Sequence, residues 1–295
     1  MPEPTNTPSL IAGELENLWT GGDWLEGPVW LPDTHSVRFS DIPNNRILDF
    51  DRATGETRVH RTDVEYTNGR TLDLDGRVVQ CSHGRRAIER EVAGEVEVLC
   101  DRWDGGRFNS PNDVVVASDG AIWFTDPPYG IQESGREGHP GEQEYGGCFV
   151  FRFDPATGIA EPVITDMVFP NGLAFSPDQS MLYVTDTGLD GDAGHIRAYG
   201  VGAHAGISQG GRPFATTSGT ADGLRVDAAG RIWTSAGAAV QVYSPDGALL
   251  FDIPLPEVAS NVCFGGPDGT ELYITASASL YRIRTTVTDA VRRGS

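Results

Sequence analysis

The sequence predicts an all-β chain forming one six-bladed β-propeller over residues 1–295, with four antiparallel strands per blade, and three observations carry that expectation. Short segments rich in Val, Ile, Phe, Tyr and Trp recur between Gly, Pro, Asn and Asp turns, with no sustained helical periodicity. One hairpin pattern then repeats six times along the chain. Its copies begin 39 to 59 residues apart, close to the roughly 40–50 residues of a propeller blade. A parallel β-helix would need shorter, more regular coils, and a sandwich would not repeat six times.

The first copy, EGPVWLPDTHSVRFSD, opens on Glu26, turns at Asp33 and returns to Asp41. The second opens on Asn68, turns at Asp75 and ends at His83, and the third runs from Asn112 through Asp119 to Asp126. After it comes YGIQESGREGHPGEQEYGG, residues 129–147, whose Gly and Glu content and lack of periodicity mark an inserted loop, expected to cover the active-site face. The fourth copy spans Asn171, Asp178 and Asp186, the fifth Asp222, Ala229 and Ala236, and the sixth Asn261, Asp268 and Ala276.

Innermost propeller strands line a central channel, so a residue just before each one stands at the channel mouth. The openers Glu26, Asn68, Asn112, Asn171, Asp222 and Asn261 are therefore expected to converge. Asp41, His83, Asp126 and Asp186, where the second strands return, should form an outer ring. A ring of side-chain oxygens without cysteine suits one hard divalent cation, Ca²⁺ first, with Mg²⁺, Mn²⁺ or Zn²⁺ as alternatives. Glu26, Asn112, Asn171 and Asp222 are the candidate ligands. Asn or Asp at the head of a strand also serves as an Asx turn, but a turn requires no charge, and two openers are carboxylates.

His83 alone among the histidines occupies a second-strand end on this face, which makes it a candidate general base. His35 belongs to a turn on the opposite face, His139 to the inserted loop, and His60, His195 and His204 to outer strands or loops. Asn68, Asn112 and Tyr129 are placed against the substrate, with Asp113 orienting Asn112. No G-x-S-x-G frames a serine nucleophile.

Composition removes several function classes. A formal charge of −20 disfavours nucleic acid and anionic membranes as partners. All 22 basic residues are arginine, which excludes Schiff-base lysine chemistry and a P-loop. Cys81, Cys100, Cys148 and Cys263 show no C-x-x-C spacing and read as buried thiols. The N-terminal MPEPTNTPSL lacks a basic stretch followed by an apolar run, and no apolar run reaches membrane-span length, so a soluble, cytoplasmic protein is expected. Nothing in the pattern fixes an oligomeric state.

The sequence resembles the regucalcin/gluconolactonase family, in its bacterial gluconolactonase-like branch. The resemblance rests on LEGPVW at 25–30, FNSPNDVVVASDGAIWFTDPPYGI at 108–131, FPNGLAFSPD at 169–178, LYVTDT at 182–187 and ADGLRVD at 221–227. It implies a six-bladed propeller whose catalytic divalent metal is held by Glu26, Asn171 and Asp222, with Asn112 ligating it or touching substrate. It further implies a small lactone substrate, sugar lactones above all, and Asp222 as both ligand and base. More remotely the chain is similar to diisopropyl fluorophosphatase and paraoxonase, which leaves a phosphotriesterase or arylesterase as one alternative and a non-catalytic calcium-binding propeller as another. A metal-free propeller of the strictosidine-synthase type would leave Glu26 and Asp222 unpaired. One departure stands out: Ser110 occupies the position where animal regucalcins carry an Arg.

Overall fold

The computed structural model describes residues 9–188, 194–202 and 206–291, without the side chains of Ser208 and Gln209; His204 lies outside them. Six four-stranded antiparallel sheets are arranged around a channel. Their innermost strands are Leu25–Leu31, Thr67–Leu72, Val114–Val116, Pro170–Phe175, Ala221–Val226 and Ala259–Gly265, each touching the next in cyclic order until the sixth meets the first. Five blades are built in sequence order, innermost strand first.

The sixth is not. Its outermost strand is the N-terminal Glu16–Thr20, paired antiparallel with Ser279–Arg284 so that Asn17 faces Tyr281. The start and end of the chain thus share one sheet, and backbone hydrogen bonds tie the ring shut.

Apolar side chains alternate along the strands and meet between adjacent sheets, where full burial of each contributes about 1.5–3 kcal/mol. Trp123, Val150, Leu173, Phe175, Leu182 and Val184 pack between the third and fourth blades. Leu25, Phe39, Leu48, Tyr273 and Leu280 pack across the closing seam. The turns are Asx-built: Asp119 Oδ1 accepts from Ala121 N and Asp178 Oδ1 from Ser180 N. In the fifth copy the turn position is Ala229, and Asp227 two residues earlier supplies the oxygen instead, accepting from Ala229 N and Arg231 N. Among the described residues no helix is long and apolar enough to cross a membrane.

Candidate active site

The openers do not precede their strands, as the sequence suggested. Five of the six lie inside the innermost strands, and a break in register follows or includes each, as between Glu26 and Val29, Thr67 and Arg70, Pro170 and Leu173, and Ala221 and Leu224. These bulges turn the opener side chain out of the sheet and into the channel. A glycine follows four of the openers because neighbouring blades crowd the axis there. A Cβ at Gly172 would stand 2.5 Å from the Asp222 carbonyl oxygen, and one at Gly69 2.5 Å from that of Asn112. Only glycine lets the backbones come close enough for the openers to touch.

They do touch. Asn68 Nδ2 donates to Asn112 Oδ1 at 2.6 Å, Asn112 Nδ2 donates to Asn171 Oδ1 at 2.6 Å, and Asn171 Nδ2 donates to Thr187 Oγ1 at 3.1 Å. On the other side of the ring, Asn261 Nδ2 donates to Glu26 Oε2 at 3.1 Å, and Gly27 N donates to the same oxygen at 2.7 Å. Asp222 lies beside the Asn171 amide and within repulsive range of Glu26.

No ion pair among the described residues neutralises Glu26 or Asp222. Burial and the nearby Asp113 charge push Glu26 up to about 8, although the Gly27 N–H works against them. Burial, then the Glu26 charge, raises Asp222 well above the carboxylate range. Asn68 Oδ1 and the Tyr129 hydroxyl are shielded from solvent with no hydrogen-bond partner. Among the described residues no three His, Cys, Asp or Glu side chains cluster as a metal site; this ring has two carboxylates, and its other oxygens are amides. Two carboxyl groups without a cationic partner among the described residues, flanked by asparagine amides in a confined channel, form a donor set that fits one hard divalent cation.

Of the expected outer ring, only His83 reaches the openers. Asp41 accepts from Asp23 N and holds Arg46. Asp126 accepts from Asn109 N, Ser110 N and the Tyr145 hydroxyl, and Asp186 from Val168 N and Phe169 N. These three carboxylates fasten the segment entering each innermost strand, which is why they recur. His83 is fully buried, and burial lowers its pKa to about 4, so it is neutral near pH 7. Its Nδ1 lies 3.0 Å from the Glu137 carbonyl oxygen and must donate to it. Nε2 then carries the lone pair, 3.2 Å from Asn68 Nδ2, which donates to it, and 3.3 Å from Asn112 Oδ1.

The Tyr129 hydroxyl faces Thr187 and Asn171. Asp113 does not orient Asn112 as expected: its Oδ1 accepts from Val114 N, and its Oδ2 lies 3.5 Å from Asn261 Nδ2 and 3.6 Å from Arg225 Nη1, deeper in the channel. Ser110 Oγ donates to Pro127 O at 2.6 Å and accepts from Gly130 N at 2.9 Å. A Cβ at Gly130 would meet His83 Cβ at 2.5 Å and Ser110 Cβ at 2.8 Å, so this corner has no room for an arginine at 110.

One acidic group was missed by sequence reasoning. Glu137, carried by the loop that His83 holds, is half-buried, and its charge acts on Glu26, Asp222 and Tyr129. Burial raises its own pKa. A glutamate in an aperiodic loop carries no sequence signal of its destination.

With this geometry in view, comparison with known proteins is informative. The family described as SMP-30/Gluconolactonase/LRE-like region matches residues 24–278. The gluconolactonase of Zymomonas mobilis is 32% identical over 93% of this chain and 82% of its own length. The structure of a Xanthomonas campestris gluconolactonase superposes with a TM-score of 0.88 at 36% identity, covering 97% of this chain and 94% of that one. A regucalcin from Agrobacterium tumefaciens, described as a calcium-binding protein, shares the fold with a TM-score of 0.76 at 18% identity over 96% of each chain. The six-bladed propeller is the architecture of this group, and the chain belongs to the SMP-30/gluconolactonase/LRE-like family.

Proposed function

We propose that this hydrolase, which acts on carboxylic ester bonds in lactones, is a metal-dependent lactonase for a sugar lactone of the gluconolactone kind. The names of its relatives support the reaction, and the calcium-binding description of the Agrobacterium protein supports a divalent metal, Ca²⁺ first. The observation that carries the proposal is the pair of carboxyl groups, Glu26 and Asp222, held within repulsive range of each other in the channel with no cationic side chain bonded to either among the described residues, Asp222 beside the chain of Asn68, Asn112 and Asn171 amides and Glu26 bonded to Asn261. Four free cysteines support a reducing, cytoplasmic setting.

Glu26, Asn112, Asn171 and Asp222 would hold the ion, which when bound supplies Lewis acidity toward an ester carbonyl. Asn68 Oδ1 and the Tyr129 hydroxyl, both lacking a partner, are available to accept from and donate to a polyol. Asp222 Oδ takes the proton from the attacking water, because the residue is only half-buried and no backbone N–H bonds to its oxygens among the described residues. His83 positions. Its Nε2 lone pair is already engaged by Asn68 Nδ2–H, and burial makes it a weak proton acceptor. It orients the Asn68 amide, whose Nδ2 in turn donates to Asn112 Oδ1, on one side and fixes the Glu137 carbonyl on the other.

On the metal-loaded protein, a pH-indicator assay should show a panel of aldonolactones hydrolysed at least about tenfold faster in kcat/KM than an aryl ester or a neutral organophosphate. The reverse preference would replace the lactonase with an arylesterase or phosphotriesterase.

His83→Ala should lower kcat about 10- to 100-fold and weaken divalent-ion affinity by a smaller factor, since Asn112 loses the support it receives through Asn68. His83→Gln, able to donate to Glu137 O, should recover part of it. Loss of the acid limb of the pH–rate profile in His83→Gln would hand the proton-accepting role to His83.

A further inference from the structure

The channel continues past the ring of openers. At about 3.3 Å per residue, the strands carry Val115 and Phe175 roughly 10–13 Å beyond Asn112 and Asn171. There the far ends of all six innermost strands enclose a cavity of about 360 Å³ on the side away from Glu26 and Asp222. Its walls are mostly apolar, Trp30, Val115, Phe175 and Phe264 among them, yet Arg70 and Arg225 also line it.

Arg70 is the anomaly. It is 0% exposed, and its Nη1 and Nη2 donate to neutral acceptors, Gly27 O and Ser40 Oγ, each at 2.7 Å. Its Nε has no partner, and no carboxylate lies within ion-pair distance among the described residues. Asp49 and Glu91 act on it only from afar, since both are bonded to Arg38, whose own charge repels it. Burial draws its pKa down only to about 10, so the guanidinium stays charged at neutral pH. Arg225 Nη1 donates to Leu224 O at 2.7 Å and lies 3.6 Å from Asp113. The one carboxylate on the cavity wall, Asp289, is already engaged. Arg225 has Asp113 as its counter-charge, so the unbalanced charge beside this apolar chamber is that of Arg70, and a buried charge needs a counter-charge.

We propose that this cavity binds a small monocarboxylate with an aromatic body, its carboxylate against Arg225, in the field of the sealed and unpaired Arg70, and its ring against Trp30, Phe175 and Phe264. A sugar lactone or its acid does not suit it, because polyol hydroxyls would lose water against apolar walls without gaining partners. The site is separate from the openers and independent of the lactonase reading.

The probe is 2-naphthoate, with 2-naphthylmethanol as its neutral isostere, titrated calorimetrically into the full chain. The carboxylate should bind one to one and at least about tenfold tighter than the alcohol, a margin consistent with a charge-assisted bond. Chelator and saturating aldonolactone should leave this binding unchanged. Arg225→Met should bring the two affinities together. Because Arg70→Met removes a buried charge from a packed seam and can fail to fold, Val115→Trp serves as the second variant: it fills the cavity, should abolish naphthoate binding, and should leave lactone hydrolysis intact. Equal affinity for acid and alcohol, displacement by chelator or lactone, no binding at millimolar probe, or full binding to Val115→Trp would each overturn the proposal.

Discussion

Asp222→Asn is expected to lose at least about a thousandfold in kcat/KM for an aldonolactone, equivalent to about 4 kcal/mol of transition-state stabilisation. The substitution keeps the shape of the side chain and removes its charge. Both roles proposed for Asp222 require that charge, one as an anionic metal ligand and the other as the acceptor of the water's proton. Divalent-ion affinity, measured by calorimetry, should therefore fall along with turnover. Stability should move the other way. In chelator, Glu26 and Asp222 repel each other inside a buried ring, and burial together with that repulsion raises the pKa of Asp222. An amide at 222 removes the repulsion, so the metal-free variant should melt above the metal-free wild type in scanning calorimetry at pH 8. A structural carboxylate would show the opposite sign, since breaking its contacts would lower the melting temperature. Activity within tenfold of wild type would remove Asp222 from the mechanism altogether.

The propeller was legible because a repeat fold writes its architecture several times over. Six hairpins with the same opener-to-turn spacing can be recognised even where a single copy departs, as at Ala229, whose turn is built by Asp227. The gathering of the openers at the channel was legible for the same reason. What escaped were features that depend on contacts between blades. The glycines after Glu26, Asn68, Asn171 and Asp222 carry no sequence signal of their reason, which is crowding by the neighbouring blade at the axis, by backbone at Gly27, Gly69 and Gly172 and by the Asn261 side chain at Gly223. Asp126 and Asp186 matched His83 by position but differ in purpose, because each is saturated by two N–H groups of the incoming segment while His83 faces the Asn68 and Asn112 amides. Asp113 follows Asn112 in sequence, just ahead of the strand Val114–Val116, but its carboxylate is taken up by Val114 N and lies toward Asn261 and Arg225 rather than Asn112. Glu137 could not be placed at all, since its approach depends on a loop whose path is set by His83 and by the close passage of Gly138 over Gly130.

Removing the divalent ion should abolish hydrolysis and also make the protein's stability fall with pH in a defined window. In the chelated protein Glu26 has its pKa raised from 4.5 to about 8. A carboxylate raised on folding keeps its proton in the native state and releases it in the unfolded chain above pH 4.5, so its contribution to stability decreases as pH rises from 4.5 to 8. His83 opposes this at first. Its pKa is lowered from 6.5 to about 4, so the unfolded chain binds a proton that the native state refuses, and stability rises with pH between those values. From pH 4.5 to 6.5 His83 therefore offsets part of the fall. From 6.5 to 8 the His83 contribution is exhausted, and Glu26 lowers stability as pH rises, with Asp222 acting in the same direction. A bound cation reverses that sign, because it favours both carboxylates in their charged form and competes with protons for them. The melting temperatures of Ca²⁺-loaded and chelated protein should accordingly diverge as pH rises from 6.5 to 8, and Asp222→Asn should narrow the divergence. Adding Ca²⁺ back to the chelated enzyme should restore lactone hydrolysis over the same pH range in which it restores stability. If chelated protein hydrolyses the lactone at the full rate, or if the gap in melting temperature is flat with pH, then the ring formed by Glu26, Asn112, Asn171 and Asp222 does not hold the ion.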